Sequence, residues 1–441
     1  MDKFIKAVDK YRNLIFDAER YIWNNPETGY KEFKTSKYLE DAFENLGYKL
    51  TRPDGITGFC TTVDTGREGP EVLILGEMDS VICPSHKEAD PVTGAVHACG
   101  HNAQSATLLG IAAVLKEDGV LDGLCGKIRL CAVPAEEYLE IEYRNELKKQ
   151  GKIKYFGGKT EYLHRGLFDG VDIAIMVHSA QTFWCNGGSV GFLAKNIIYK
   201  GVSSHAGGSP WYGKNALYAA TCGLNAVNAI RETFYDPDMI RFHPIITHGG
   251  DIVNAIPECV RLESYVRGKT FNCIAVNNKK INRALIGAAL SLGNNIEIID
   301  IPGYAPLVND KNMVDVCADA AKLCDIDLKV SDTFISGSTD MGDLSSIMPV
   351  VQPYSGGTIG NGHSQDFYVN DPEAACVTTA KWQLAMVKLL LENGAERAKQ
   401  VIKEFKPLFA SKEEFLSYLD SLETNGDRII YKEDGNVEVK L

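Results

Sequence analysis

The sequence predicts an α/β fold: a mostly parallel-sheet domain interrupted by a smaller α+β insertion. Three observations carry that prediction. Apolar runs of strand length alternate with helical stretches in the first half, as in a sheet covered by helices. Acidic, thiol and imidazole side chains follow those runs directly, where sites form in open α/β sheets. From about residue 191 to 302 the order changes to strand, helix, two strands, helix, strand, and then the first pattern resumes. The expected division is 1–190 and 303–441 for the main domain and 191–302 for the insertion, whose ends would lie close together.

The start of the chain, residues 1–23, interleaves charges with apolar positions at helical spacing. It reads as a surface helix and lacks the apolar core of a signal peptide. Residues 71–76 (EVLILG), 127–133 (KIRLCAV) and 171–177 (VDIAIMV) are apolar enough for strands buried on both faces. Residues 104–116 (QSATLLGIAAVLK) are helical. The charged stretch 138–166 is expected as a helix and a surface loop at the rim of a site. In the insertion, strands over 193–199, 239–247, 260–267 and 296–301 combine with helices over 215–232 and 279–292. A small sheet with both helices on one face fits that order. A helix over 313–323, a strand over 349–354 and a long helix over 373–391 return to the main domain. The last roughly 45 residues read as an appended, highly charged helical layer.

A chain of 441 residues exceeds one ordinary core, and 45% hydrophobic with 24% charged residues is a soluble, globular composition. The net charge of −12 argues against nucleic acid or an anionic membrane as partner, since both need basic patches. No apolar run in the sequence approaches membrane-spanning length. The twelve cysteines are scattered, mostly among aliphatic residues, so reduced thiols in a cytoplasmic protein are expected.

Cys99 is the exception. It sits in His97-Ala98-Cys99-Gly100-His101-Asn102, where a turning loop can aim Cys99 and His101 at one metal. Alone, such a pair is more often a buried thiol beside a helix-capping histidine. Other groups at strand ends reverse that preference: Glu77 and Asp79 after the first strand, Glu136 and Glu137 after the second, His178 after the third. Adjacent glutamates are usually a solvated pair, but at the end of a buried strand they need partners. Neighbours in an extended segment point in opposite directions, so one carboxylate can bind metal while the other serves as a base. His205 lies in a small-residue turn (SSHAGG) and His363 in a Gly-rich loop (GGTIGNGHS). No Walker-type lysine follows those glycines, which excludes a nucleotide site of that kind. The constellation points to a metal-dependent hydrolase.

The segments GEMDS, HACGHN, PAEE, MVH, SSHAGGSP, GGDIVNAIPE, GSTDMGD and GGTIGNGHS occur in that order. They resemble the di-metal amidohydrolases and peptidases related to aminoacylase, and most nearly the branch of aminobenzoyl-glutamate hydrolase and the amino-acid-conjugate hydrolases. The resemblance spans about residues 10–405. It implies a catalytic α/β domain, an inserted lid domain that often makes the dimer contact, and two divalent ions, Zn or Mn. Carried over by motif, it implies Cys99, His101, Glu137, His178 and His363 as metal ligands, with Cys99 bridging. It implies Glu136 as general base, His205 and Asn254 as lid residues holding the scissile carbonyl oxygen or the substrate carboxylate, and Asp79 behind a ligand. Two departures stand out: Asn102 where many relatives carry Asp, and the long 138–166 stretch in place of a short connection.

The expected activity is hydrolysis of the amide between an acyl, aminoacyl or aryl group and an amino acid, as in an N-acyl amino acid or a dipeptide. Two alternatives stay open: hydrolysis of a non-peptide C–N bond on the same site, and a non-catalytic metal-binding partner subunit. A homodimer is expected, with domain closure or a neighbouring subunit bringing His205 to the reacting carbonyl.

Overall fold

The computed structural model describes residues 3–441, which divide into two units. The first comprises 3–188, 307–333 and 343–412; the second comprises 189–306, 334–342 and 413–441.

Among the described residues, the main sheet of the first unit has five strands in the order Phe59–Asp64, Lys127–Val133, Glu71–Glu77, Ile173–Ile175, Val350–Val351. All pairings are parallel except that of the edge strand Phe59–Asp64, which is antiparallel to Lys127–Val133. Every residue of Glu71–Glu77 is buried, as the apolar run between its two glutamates leads one to expect for the central residues. The helix His101–Val114 is buried on all sides, consistent with its lack of a polar face. The helical stretch Glu373–Leu391 is apolar and long enough by composition to cross a bilayer, and most of it lies in this unit's core. There the Trp382 indole donates to the Cys317 carbonyl at 2.9 Å.

The expectation for 138–166 needs correction. The segment forms two helices, Ile141–Lys149 and Gly158–His164, and the second is buried rather than a surface loop. Gly158 donates its N–H to the Ala135 carbonyl at 3.2 Å, and a Cβ there would fall 1.6 Å from the Pro134 oxygen. Only glycine lets this helix press so closely on the Pro134–Ala135 turn that leads into Glu136 and Glu137.

The second unit is built on an antiparallel sheet in the order Arg241–Phe242, Cys259–Gly268, Gly191–Lys200, Asn295–Pro302, with Ile245–His248 also paired to Cys259–Gly268. The single strand expected over 239–247 is broken in two around Pro244, which has no N–H for the ladder. The helices Ala216–Ile230 and Phe271–Ser291 supply side chains to this unit's core. The second helix starts earlier than expected because Thr270 caps it, accepting from the Cys273 N–H at 3.1 Å.

The C-terminal expectation also changes. Residues 413–441 group with the second unit, not the main domain, and end in a hairpin of Ile429–Tyr431 with Val437–Val439. Two causes are visible. Ile429 is buried in the second unit's core, and Thr424 and Asp300 exchange backbone hydrogen bonds of 3.1 and 2.9 Å. The segment thus bridges the open edge of the strand Asn295–Pro302 at Glu297 and Asp300.

Candidate metal centre

The loop before the helix His101–Val114 sets the centre of the site. Gly100 has φ 85°, and a Cβ there would come within 2.6 Å of the Ser179 Cβ. This left-handed turn swings Cys99 and His101 toward the same side of the chain. Two non-glycine residues take the same strained conformation nearby. Ala135 (φ 57°) turns the chain just before Glu136 and Glu137, and His363 (φ 63°) is held by its N–H to the Ala98 carbonyl at 2.7 Å. Such strain persists where the surroundings over-determine it, often at functional sites. At Ala135 the buried Glu32 carboxylate does so, accepting the Ala135 N–H at 2.9 Å.

The side chains converge. Ligand atoms of Cys99, His101 and His178 lie within 4.8 Å of one another, as do those of Cys99, Glu137 and His363, and those of Glu77, His101 and Glu136. Cys99 Sγ is 3.4 Å from His178 Nε2, and His363 Nε2 is 2.9 Å from Glu137 Oε1. Two ligands bound to one ion through bonds of about 2.0–2.3 Å sit roughly 3–3.6 Å apart, so these separations suit a shared ion. Cys99 belongs to the first two of these groups and His101 to the first and third. Glu136 and Glu137 diverge as neighbours in an extended segment should: Glu137 faces His363, while Glu136 Oε2 lies 4.0 Å from His101 Nε2.

The ring orientations leave the right nitrogens free. His101 Nδ1 is 2.8 Å from the Asp79 carbonyl and 3.2 Å from its carboxylate, and His178 Nδ1 is 3.0 Å from the Ser179 carbonyl. Those contacts fix Nδ1 as the donor and present Nε2 inward. Asp79 also accepts the Glu137 N–H at 2.8 Å, so one carboxylate braces two of the candidate ligands. His101 Nε2 is buried with no hydrogen-bond partner among the described residues. Such an orphan beside a thiol and carboxylates fits a divalent cation.

The electrostatics agree with that donor set. Burial raises the Cys99 thiol, but the imidazoles of His178 and His101 outweigh it and hold the group well below the ordinary thiol range. Burial opposes protonation of His101 and His178, yet the Glu77 and Cys99 charges around His101, and chiefly that of Cys99 beside His178, leave both raised. Glu137 raises His363 as well, while burial and the Cys99 charge raise Glu137 itself. His97 is different: burial and the His101 charge press it down to about 3, so it is a neutral core imidazole.

His205 and Asn254 belong to the second unit and meet there, with the Ala206 N–H donating to the Asn254 carbonyl at 2.9 Å. Both are exposed. His205 Nδ1 accepts from the N–H groups of Gly207 and Gly208 at 3.1 and 2.8 Å, which leaves Nε2 to carry the proton outward. The helix Ala216–Ile230 is capped by Asn215, so His205 has no capping role there.

Two participants are not legible in the sequence: Glu32 is marked by nothing, and Lys159 lies in a stretch that looks solvated. Glu77 is marked by its place at the end of a strand. Lys159 is buried and ion-pairs with Glu77.

A parallel α/β sheet whose strand ends gather a thiol, imidazoles and carboxylates defines a metal-dependent hydrolase. The chain belongs to peptidase family M20/M25/M40, whose sequence profile matches residues 73–388. It is 28% identical to a human Xaa-Arg dipeptidase over 371 residues, covering 79% of this chain and 78% of that one. It is 27% identical to an indole-3-acetyl-aspartic acid hydrolase of Enterobacter agglomerans over 336 residues, covering 63% and 72%. Its fold is similar to that of a dinuclear metal-binding M20 peptidase from Bacillus subtilis, with a TM-score of 0.65 at 18% identity over 87% of this chain and 99% of that one.

Proposed function

We propose that the protein hydrolyses the amide bond between an acyl, aminoacyl or aryl group and an amino acid. The observation that carries this reading is the convergence of five side chains, Cys99, His101, Glu137, His178 and His363, into two groups that share the thiol. They would hold two divalent ions, zinc or manganese, with Cys99 between them. Bound there, the ions would polarise the scissile carbonyl and lower the pKa of water.

The chain's own groups do the rest. Glu136 is the general base: its carboxylate, beside His101 but outside the two thiol-sharing groups, takes the proton of the attacking water and hands it to the leaving nitrogen. Asp79 keeps His101 in the tautomer that offers Nε2. His205, through Nε2–H, is the donor to the developing oxyanion, and Asn254 holds the substrate's polar end. The names of the dipeptidase and conjugate hydrolase relatives support an N-acyl amino acid or dipeptide as substrate. The working form is a homodimer formed partly through the second unit, where Ile245 and Ile246 stand exposed on the short strand Ile245–His248 and Trp211 and Tyr212 stand exposed as well. The acidic charge and the free cysteines fit a cytoplasmic enzyme.

A panel of N-acyl amino acids and dipeptides, assayed with added Mn²⁺ or Zn²⁺, tests the activity. Release of a free amino acid from at least one member, abolished by chelator, is expected. A panel without any turnover by protein loaded with metal would leave this reading without support.

A further inference from the structure

The buried pair of Lys159 and Glu77 lies against the metal centre and has no part in the mechanism above. Both side chains are fully buried. Burying two charges is costly, and lysine is rarely buried unless paired, so the arrangement calls for a reason. Glu77 ends the central strand Glu71–Glu77, and its Oε2 stands 3.2 Å from the unpartnered His101 Nε2. That is the separation of two ligands on one ion. Yet both oxygens are engaged: Oε1 by the Lys159 ammonium, Oε2 by the Gln104 amide at 2.8 Å. Lys159 itself cannot drift. It is the second residue of the helix Gly158–His164, which Gly158 pins to the Pro134–Ala135 turn and Thr160 ties to Asp343.

We propose that Lys159 is a positioning residue that withholds Glu77 from the metal ions. A catalytic centre keeps a coordination position open for water or substrate. A further carboxylate at the His101 side would fill it. The ammonium engages that carboxylate and cancels its charge, so the centre keeps the ligands already named and no more. This gives the 138–166 stretch, which departs from the family's short connection, a purpose at the site, because it brings a cation to the floor of the centre.

The inference rests on the proposed metal centre, and the experiment separates the two. Metal-free protein is titrated with Zn²⁺ or Mn²⁺, with stoichiometry read by elemental analysis, affinity by calorimetry and folding by circular dichroism. If the wild type binds no ion, the centre itself is wrong. If it binds, Lys159→Met should bind more tightly, by about tenfold or more, and lose metal to chelator more slowly, because Glu77 is released as a further charged ligand. Its turnover should fall. Glu77→Gln, with Lys159 present, should leave affinity within about threefold, well under the change expected when a group that acts on the metal is lost. The double variant Lys159→Met/Glu77→Gln should return to wild-type affinity. Weaker binding by Glu77→Gln would make Glu77 an ordinary ligand and overturn the proposal. Unchanged or weaker binding by folded Lys159→Met would do the same. Should Lys159→Met not fold, the Glu77→Gln result decides alone.

Discussion

The charges around one thiol favour the protonated form of three imidazoles that a divalent ion would bind. His101, His178 and His363 are all raised, whereas Cys99 is already lowered toward the thiolate. Metal uptake should therefore release protons from the histidines and weaken as the pH falls. Calorimetric titrations in buffers of different ionisation enthalpy check this, and identical heats in all buffers would contradict it. At Glu136, replacement by Gln keeps shape and removes the base. Turnover should drop roughly 10²-fold or more with metal content unchanged, while Glu137→Gln should lower metal content. Elemental analysis beside a rate assay distinguishes the two. Glu32 gives a stability signature. Burial and the neighbouring Asp79 charge raise it to about 8 from an ordinary 4.5. The folded state then holds a proton that the unfolded chain has lost between those values. The contribution is full below the unfolded pKa and disappears as pH rises through the folded one, with a slope of up to about 1.4 kcal/mol per pH unit. Urea unfolding across that window should show Glu32→Gln flatter than wild type.

The secondary-structure elements differ in how plainly the sequence announces them. Lys127–Val133 is apolar apart from Lys127 and Arg129 near its start, and its expected and observed ends coincide. His101–Val114 begins three residues before the expected start, because the left-handed turn at Gly100 permits the helix to open on the candidate ligand His101. Gly158–His164 is unreadable as a buried element from sequence: its lysine and threonine look solvated until their partners Glu77 and Asp343, which lie far off in sequence, are known. The candidate ligands are legible because they sit at strand ends and in ordered motifs. The residues that brace them are not, since bracing depends on tertiary neighbours. The Gly100 turn is directly testable. Gly100→Ala adds a Cβ where φ is 85° and Ser179 is 2.6 Å away. It should cost about 1–3 kcal/mol in urea unfolding and reduce metal retention.

At the scale of the whole molecule, assembly and the order of the chain come to the fore. Light scattering should give a dimer mass, and Ile246→Glu on the exposed strand Ile245–His248 should shift it to monomer while circular dichroism is unchanged. A dimer that tolerates the charge would place the interface elsewhere. The second unit draws on residues 189–306, 334–342 and 413–441, and the first resumes between and before them. A ribosome making this chain therefore releases neither unit in finished form one after the other. The first waits for residue 412, and the second waits for Ile429 to close its core. At about 5–20 residues per second, the nascent second unit emerges with an uncovered apolar face for on the order of ten seconds. Synthesis of this protein thus creates a fixed interval of aggregation risk, and an excised 189–306 fragment would live in that interval permanently.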